Sequence, residues 1–287
     1  MINLINSAAE LTDNAAMSAK LHRIRHVALD MDGTIYNGST LFPWTKEFIA
    51  DIEHLGITYS FLTNNPSKNT EDYLAHLHSM GLDIPKNSLY TSANATVDYL
   101  RRNHPDVKRL FILGTPSMVS GFETAGFVSV SANCTDEPDA VLVGFDKTLE
   151  YNRLCRAAWW IDKGKKYFAT NPDLVCPTDL PTILVDCGAI CAALEKATGR
   201  KPDITMGKPD PEMLNGIRLA KGLNTDQIAM VGDRIYTDLK MAANSGALGV
   251  LVLSGEASLD DARNADFNID IVTDTLGIFG KLLAATH

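Results

Sequence analysis

Two carboxylates stand two positions apart in the segment VALDMDGTIYNG, where an apolar run ends at Asp30 and Asp32. On an extended strand, residues two apart point to the same side, so both side chains can enter one crevice. Two like charges this close repel each other. The repulsion would raise the pKa of one carboxyl and favour its neutral, protonated form. A divalent cation removes the repulsion and prefers oxygen ligands, so the pair predicts a metal-assisted site. Gly33 allows a sharp bend directly after it.

Three further polar motifs follow apolar, strand-like runs: LTNN, GKPDP and VGDRIYTD. The first offers hydroxyl and amide groups that suit phosphoryl oxygens, and the second places a lysine beside a helix start, where anions bind readily. The third adds carboxylates for the cation. Each motif alone is also typical of turns and helix starts, but ligands of parallel sheets bind at strand ends, and all of these motifs lie there. The candidate residues are Thr63, Asn64, Asn65, Lys208, Asp233 and Asp238.

The elements that must position these motifs alternate between strands and helices from residue 24 onward. Runs such as IRHVALD, QIAMVGD and LGVLVLSG are continuously apolar, which predicts a parallel sheet covered on both faces. The same rhythm repeats in the middle of the chain, so we predict an α/β fold with a doubly wound core and an inserted α/β unit. The expected divisions are an N-terminal extension over 1–20, a core over 21–94 and 204–287, and an inserted domain over 95–203.

The bulk composition is that of a globular chain and argues against several classes of partner. Hydrophobic residues make up 45% of the 287 positions, yet no apolar run is long enough to cross a membrane. The net charge of −9 argues against nucleic acid and anionic lipid as partners. The N-terminus lacks the pattern of a signal peptide. An odd count of five cysteines then predicts reduced thiols and a cytoplasmic location.

The four motifs, in this order, resemble the haloacid dehalogenase superfamily of aspartate-nucleophile phosphatases. The segments ATNPD and GAICAALEKATGR narrow the resemblance to the NagD-like and p-nitrophenyl-phosphatase-like subfamily, over residues from about 24 to about 260. The resemblance implies a Rossmann-like core with a large inserted α/β cap, and hydrolysis of phosphate monoesters through an aspartyl-phosphate with Mg²⁺ as cofactor. Dehalogenases of the superfamily lack the second aspartate, so Asp32 favours phosphate over halide chemistry.

The resemblance also implies a role for each motif residue. Asp30 resembles the nucleophile, and Asp32 resembles the acid that protonates the leaving oxygen and then the base that activates water. Thr63 and Asn64 resemble phosphate-binding positions, and Lys208 resembles the lysine that offsets the charge of phosphate and nucleophile. The implied Mg²⁺ ligands are Asp30, the backbone carbonyl of Asp32, Asp233 and, directly or through water, Asp238.

Two segments of the predicted cap, FATNPD and VDCGA, are candidates for substrate recognition. In the resembled family the cap closes over the crevice, and Asn171, Asp173 and Asp186 are candidates for reaching the leaving group. Asn-Pro and Pro-Asp also form turns readily, so a purely structural role stays open. Gly33 and Asn65 are the remaining phosphate- or substrate-binding candidates. Related caps often mediate dimers, so the resemblance also suggests a homodimer through the cap.

The leading interpretation is a phosphatase of small phosphate monoesters, such as sugar phosphates, nucleoside monophosphates or pyridoxal phosphate. A large cap should exclude macromolecular substrates. Two other classes stay open, a receiver-like signalling protein and a phospho-ligand-binding protein without activity. A receiver carries its phosphorylated aspartate on a later strand and has no inserted domain, whereas loss of Asp30 or Asp32 would have favoured a binding protein.

Overall fold

A computed structural model of the chain describes residues 3–67, 70–176, 178 and 181–287. Within this described part, no helix has the length and apolar character needed to cross a bilayer. The α-helices are Ala8–Thr12 (α1), Ala15–His22 (α2), Thr45–His54 (α3), Thr70–Ser79 (α4), Ser92–Asn103 (α5), Pro116–Thr124 (α6), Tyr151–Asp162 (α7), Cys187–Thr198 (α8), Glu212–Lys221 (α9), Lys240–Ser245 (α10), Leu259–Arg263 (α11) and Leu276–Ala284 (α12). The strands are His26–Leu29 (β1), Tyr36–Asn37 (β2), Thr40–Leu41 (β3), Thr58–Thr63 (β4), Leu89–Thr91 (β5), Arg109–Leu113 (β6), Val128–Ser129 (β7), Ala140–Val143 (β8), Lys166–Ala169 (β9), Val175–Cys176 (β10), Leu184–Val185 (β11), Ile204–Thr205 (β12), Ile228–Gly232 (β13), Leu248–Val252 (β14) and Ile271–Thr273 (β15).

The first of two compact units comprises Met1–Leu62, Leu74–Tyr90 and Lys208–His287. It is built on a six-stranded sheet with the order β15-β14-β13-β1-β4-β5, in which the neighbours from β15 to β4 pair in parallel. Strands β1, β13 and β14 are buried along their whole length. This burial is what continuously apolar strands predict, because helices cover both faces of a parallel α/β sheet.

The second compact unit comprises Thr63–Tyr73 and Thr91–Gly207 and has its own sheet. Five parallel strands run in the order β12-β9-β8-β6-β7, and β10 and β11 form a separate antiparallel pair. Its interior packs apolar side chains of β6, β8 and β9 against those of α7 and α8. The predicted α/β fold with an inserted α/β unit is therefore confirmed, whereas the boundaries expected for the functional domains stay a prediction.

The N-terminal residues from Asn3 onward are part of the first unit. Leu4 forms a parallel bridge to Val272 of β15, and the Ile5 N–H donates to the Val272 carbonyl at 3.0 Å. In α2, Leu21 is fully buried. The predicted extension over 1–20 is thus an added helical segment that also extends the sheet edge, and only its first two residues lie outside the described part.

Candidate active site

Two neighbouring strands of the first unit deliver an aspartate at the same edge of the sheet. Strand β1 ends at Leu29 and β13 ends at Gly232, so Asp30 and Asp233 each follow a buried strand directly. The two strands are parallel partners, and the Asp30 N–H donates to the Val231 carbonyl at 2.9 Å. The ladder therefore brings both carboxylates to the carboxyl end of the sheet, where ligands of such folds bind.

A third carboxylate is placed by an unusual turn at the start of the next helix. Residues Ile235–Leu239 form a single π-helical turn before α10, with the Leu239 N–H bonded to the Arg234 carbonyl at 3.3 Å. Such turns recur at functional sites because they re-aim a side chain. Here the turn presents Asp238, which is fully buried. A Cβ on Gly232 would lie 2.4 Å from this carboxylate, so the strand end must be glycine.

Lys208 connects two of the three carboxylates. Its ammonium forms a close ion pair with Asp30 and lies 2.7 Å from Asp238 Oδ1. Only 5% of this lysine is exposed. Burial alone would lower the pKa of Lys208, but the carboxylates of Asp238 and Asp30 outweigh burial and raise it. The lysine is therefore a fixed buried cation beside Asp30.

The carboxylate cluster fits a divalent cation. Carboxylate oxygens of Asp30, Asp233 and Asp238 lie within 4.8 Å of one another, and all three residues are buried. Burial and the charge of Asp30 raise the pKa of Asp233 to about 6; burial also raises the pKa of Asp238 to about 7, although Lys208 opposes the change. Among the described residues, Asp233 Oδ1 is buried without a hydrogen-bond partner. Excess negative charge and an unsatisfied oxygen are the features that a bound cation would resolve.

Asp32 and Gly33 follow the first carboxylate in an exposed turn. The side chain of Asp32 is exposed, and its Oδ1 accepts the Gly38 N–H at 3.1 Å. Gly33 adopts φ +84°, and a Cβ there would lie 2.3 Å from Asp233 Oδ2. The bend predicted at Gly33 is present, and the position must also be glycine because the Asp233 carboxylate occupies that space. Asp32 remains accessible, as a group that exchanges protons with substrate and water must be.

The predicted phosphate-binding residues Thr63, Asn64 and Asn65 fall in the second unit, where Thr63 is the last residue of β4 and the two asparagines follow it. The Asn65 N–H bonds to Thr63 Oγ1 at 3.2 Å, and Asn65 Oδ1 accepts the Ser67 N–H at 2.9 Å. The buried backbone of Asn64 accepts the Ser92 hydroxyl at 2.7 Å. These bonds fix the turn. They also commit the side-chain amide oxygen of Asn65 to the Ser67 N–H, so Thr63 and Asn64 are the better candidates for a ligand.

The three cap candidates lie together in the second unit. Asn171 Nδ2 donates to Asp186 Oδ1 at 3.0 Å and to Asp173 Oδ2 at 3.3 Å. Asp186 is also the N-cap of α8 and accepts the Cys187 N–H at 2.5 Å. Burial raises the pKa of Asp186 to about 6, with a smaller contribution from Asp173. Asp186 therefore caps a helix, and the cluster gathers polar groups at one place, whereas its role in substrate recognition stays a prediction.

Two backbone N–H groups that bond to the carboxylate cluster were not among the residues predicted from the sequence. The Arg234 N–H bonds to Asp238 Oδ2 at 3.2 Å, and the Glu256 N–H bonds to Asp233 Oδ2 at 2.8 Å. Arg234 lies inside the motif VGDRIYTD, but backbone donors have no residue-type signal. Glu256 follows β14 in the segment LSGEAS, which has the composition of an ordinary turn.

Comparison with known proteins identifies the family. A family model described as haloacid dehalogenase-like hydrolase matches residues 27–128, and a second, described as HAD-hydrolase-like, matches residues 205–278. Together they span the four motifs, since the first contains DMDGT and LTNN, and the second contains GKPDP and VGDRIYTD.

Named relatives cover almost the whole chain. The ribonucleotide monophosphatase NagD of Escherichia coli is 33% identical over 85% of this chain and 93% of its own length. The crystal structure of 4-nitrophenylphosphatase from Thermotoga maritima is 39% identical, covers 91% of this chain and 98% of that one, and has a TM-score of 0.85. A glycerol phosphate phosphatase from Mycobacterium tuberculosis, solved with magnesium, is 26% identical over 91% of this chain and 78% of that one, with a TM-score of 0.83. The chain belongs to the NagD-like phosphatases of the haloacid dehalogenase superfamily.

Proposed function

We propose that this enzyme hydrolyses small phosphate monoesters with Asp30 as the nucleophile and a divalent cation, Mg²⁺, as cofactor. The observation that carries the proposal is the buried group of Asp30, Asp233, Asp238 and Lys208 at the strand ends of the first unit. Phosphoryl transfer depends mainly on positioning and on neutralising charge, and this group can supply both.

In the first step the Asp30 carboxylate attacks phosphorus. A bond forms between a carboxylate oxygen and phosphorus while the bond from phosphorus to the ester oxygen breaks, and an acyl phosphate is left on Asp30. Lys208 contacts Asp30, so its ammonium can offset the negative charge that the phosphoryl group brings to the site. Its burial prevents water from weakening this effect.

Asp32 is the proposed proton carrier in both steps. As an acid it gives its proton to the leaving alkoxide, and as a carboxylate it then takes a proton from the water that attacks phosphorus. That attack breaks the acyl phosphate bond, releases inorganic phosphate and restores Asp30. The contact with the Gly38 N–H holds the side chain in one orientation while leaving it exposed.

The residues proposed to hold the cation are Asp30, the backbone carbonyl of Asp32, and Asp233, with Asp238 as a ligand directly or through water. When bound, Mg²⁺ supplies positive charge for the carboxylates and the phosphoryl oxygens. The relative solved with magnesium supports this choice of metal.

The second unit is proposed to bind the substrate. Thr63, Asn64 and Asn65 are proposed to bind phosphate oxygens, and Gly33 of the first unit is a further proposed phosphate- or substrate-binding residue. Asn171, Asp173 and Asp186 are proposed to recognise the leaving group. The named relatives act on a ribonucleotide, 4-nitrophenyl phosphate or glycerol phosphate, which supports a small ester as the substrate. We also propose a cytoplasmic location, a homodimer through the cap, and no nucleic-acid or membrane partner.

The proposal is tested by phosphate release from a panel of esters. The panel contains sugar phosphates, nucleoside monophosphates, pyridoxal phosphate, glycerol phosphate and 4-nitrophenyl phosphate, each assayed with Mg²⁺ and with excess EDTA. We expect release that requires the metal and a clear preference for one class of ester. Absence of release from every ester with Mg²⁺ present would contradict the proposed function.

A further inference from the structure

The segment Leu253–Ser258, which follows β14, wraps around the metal-site residue Asp233. The Glu256 N–H donates to Asp233 Oδ2 at 2.8 Å, and the Ala257 N–H donates to the Asp233 carbonyl at 3.1 Å. One segment therefore holds both the side chain and the backbone of the same aspartate.

The approach of this segment is too close for any side chain at position 255. A Cβ on Gly255 would lie 2.1 Å from Asp233 Oδ2, 2.6 Å from its Cγ and 2.7 Å from its Cβ. The three nearest atoms thus all belong to Asp233. Gly33 meets the same carboxylate, with a Cβ position 2.3 Å from Oδ2. The Asp233 carboxylate is therefore packed against two glycines that lie far apart in the sequence.

Further contacts tie the segment to the rest of the site. The Ser254 hydroxyl donates to the Gly33 carbonyl at 2.8 Å, which links the two glycine-containing turns. The Glu256 side chain pairs with Arg234 Nε at 2.9 Å, and Arg234 is the residue directly after Asp233. This ion pair is partly exposed and contributes little to stability on its own. It is, however, a third contact between this segment and the chain at Asp233 and Arg234.

The two oxygens of Asp233 have different surroundings as a result. Oδ2 is occupied by the Glu256 N–H, whereas Oδ1 is buried and has no hydrogen-bond partner within the described ranges. The backbone donor fixes the orientation of the carboxylate and takes one lone pair of Oδ2, so Oδ1 is the oxygen left without a competing partner for a metal. Such outer contacts orient the ligands that touch the metal and affect metal affinity.

We infer that Gly255 is a positioning residue for metal binding: it lets Leu253–Ser258 approach Asp233 so that Oδ2 is held and Oδ1 faces the cation. The inference rests on the proposed function, because it assumes that Asp233 is a metal ligand. It assigns a role to a residue outside the four motifs, and this role depends on backbone approach rather than on side-chain chemistry.

The test is the variant Gly255→Ala in the full chain, with Mg²⁺ binding measured by calorimetry. The backbone of Gly255 is not in the left-handed region, so the added methyl group acts by displacing Asp233. We expect a 10- to 100-fold rise in the Mg²⁺ dissociation constant. We also expect turnover to recover at high Mg²⁺, and a circular-dichroism spectrum in EDTA like that of the wild type separates this loss of affinity from a folding defect.

The matched control is Gly121→Ala in α6, where an added Cβ has nothing within 4 Å. This variant should bind Mg²⁺ as the wild type does. If Gly255→Ala does not fold, Ser254→Ala decides instead, because it removes the tie to Gly33 without adding atoms. Loss of one hydrogen bond should weaken Mg²⁺ binding by about fivefold.

Unchanged Mg²⁺ affinity in Gly255→Ala would overturn the inference while the proposed function stands. Where Ser254→Ala has to decide, unchanged affinity in that variant would do the same. A wild type that neither binds Mg²⁺ nor releases phosphate would overturn the proposed function, and the inference with it. Weakened binding in the test variant, with normal binding in Gly121→Ala, supports the inference.

Discussion

Replacing Lys208 by methionine should destabilise the metal-free protein by about 3–5 kcal/mol. The ammonium lies 2.7 Å from Asp238 Oδ1 and also pairs with Asp30, and the lysine is 5% exposed. At an effective dielectric constant of about 20, the attraction to one carboxylate at this distance is about 6 kcal/mol. The desolvation of the charges offsets part of it. Methionine keeps most of the volume, so the loss reports on charge, because two buried carboxylates lose their cation.

The assay is urea denaturation followed by circular dichroism in EDTA, with the exposed Lys281→Met of α12 as the control. The control should stay within about 0.5 kcal/mol of the wild type. Excess Mg²⁺ should recover part of the stability lost in Lys208→Met, because the metal neutralises the same carboxylates. A loss below about 1 kcal/mol in EDTA would show that Lys208 is not a buried cation held between two ionised carboxylates, because removing such a cation costs more.

Three further predictions concern other parts of the chain. Asp32→Asn should lower turnover of alkyl phosphates by about 10²–10⁴-fold, while 4-nitrophenyl phosphate, whose leaving group needs no proton, should still give a burst of nitrophenolate in stopped-flow assays. No burst, or unchanged turnover, would contradict the proton-transfer role. His26 is fully buried, and burial, with a smaller effect of Lys221, lowers its pKa to about 3. In the unfolded protein this imidazole takes up a proton at a higher pH than in the folded protein. The free energy of unfolding should therefore fall by up to about 1.4 kcal/mol per pH unit as the pH drops from about 6.5 towards 3. His26→Gln should flatten this slope in urea titrations and the exposed His54→Gln should not; equal slopes in all three proteins would contradict the assignment. Leu21→Ala in α2 should cost about 2–5 kcal/mol in the same urea assay, because Leu21 is fully buried, whereas Leu219→Ala, at a position 48% exposed, should cost much less; similar losses would show that the N-terminal helices do not pack as described.

The fold and the approach of Asp30 to Asp233 were predictable because the residue pattern of single strands agrees with the arrangement of the whole sheet. The strands that carry Asp30 and Asp233 are continuously apolar, which predicted a buried parallel sheet. The ends of parallel neighbours lie at one edge, so the convergence of these two residues followed from the topology. Lys208 and Asp30 lie far apart in the chain, and only the family resemblance indicated that this lysine offsets the charge of the nucleophile.

Other features had no local signal in the sequence. The segment before α10 starts with a π-helical turn, and its residue types do not distinguish this turn from the start of a regular helix. The short pairs β2–β3 and β10–β11 have two residues per strand, too few for an alternating pattern to be visible. Gly255 resembles any glycine in a turn, because its importance comes from a carboxylate that approaches it from a distant part of the chain.

The central claim is that Asp30 becomes phosphorylated during turnover, and chemical trapping tests it most directly. The Asp32→Asn variant, which should break down the acyl phosphate slowly, is mixed with 4-nitrophenyl phosphate and Mg²⁺, quenched and treated with borohydride. Borohydride reduces an aspartyl phosphate to homoserine, which peptide mass spectrometry locates. We expect homoserine at position 30, dependent on the ester and absent in Asp30→Asn. Phosphate release with an unmodified Asp30, or homoserine at a different position, would contradict it.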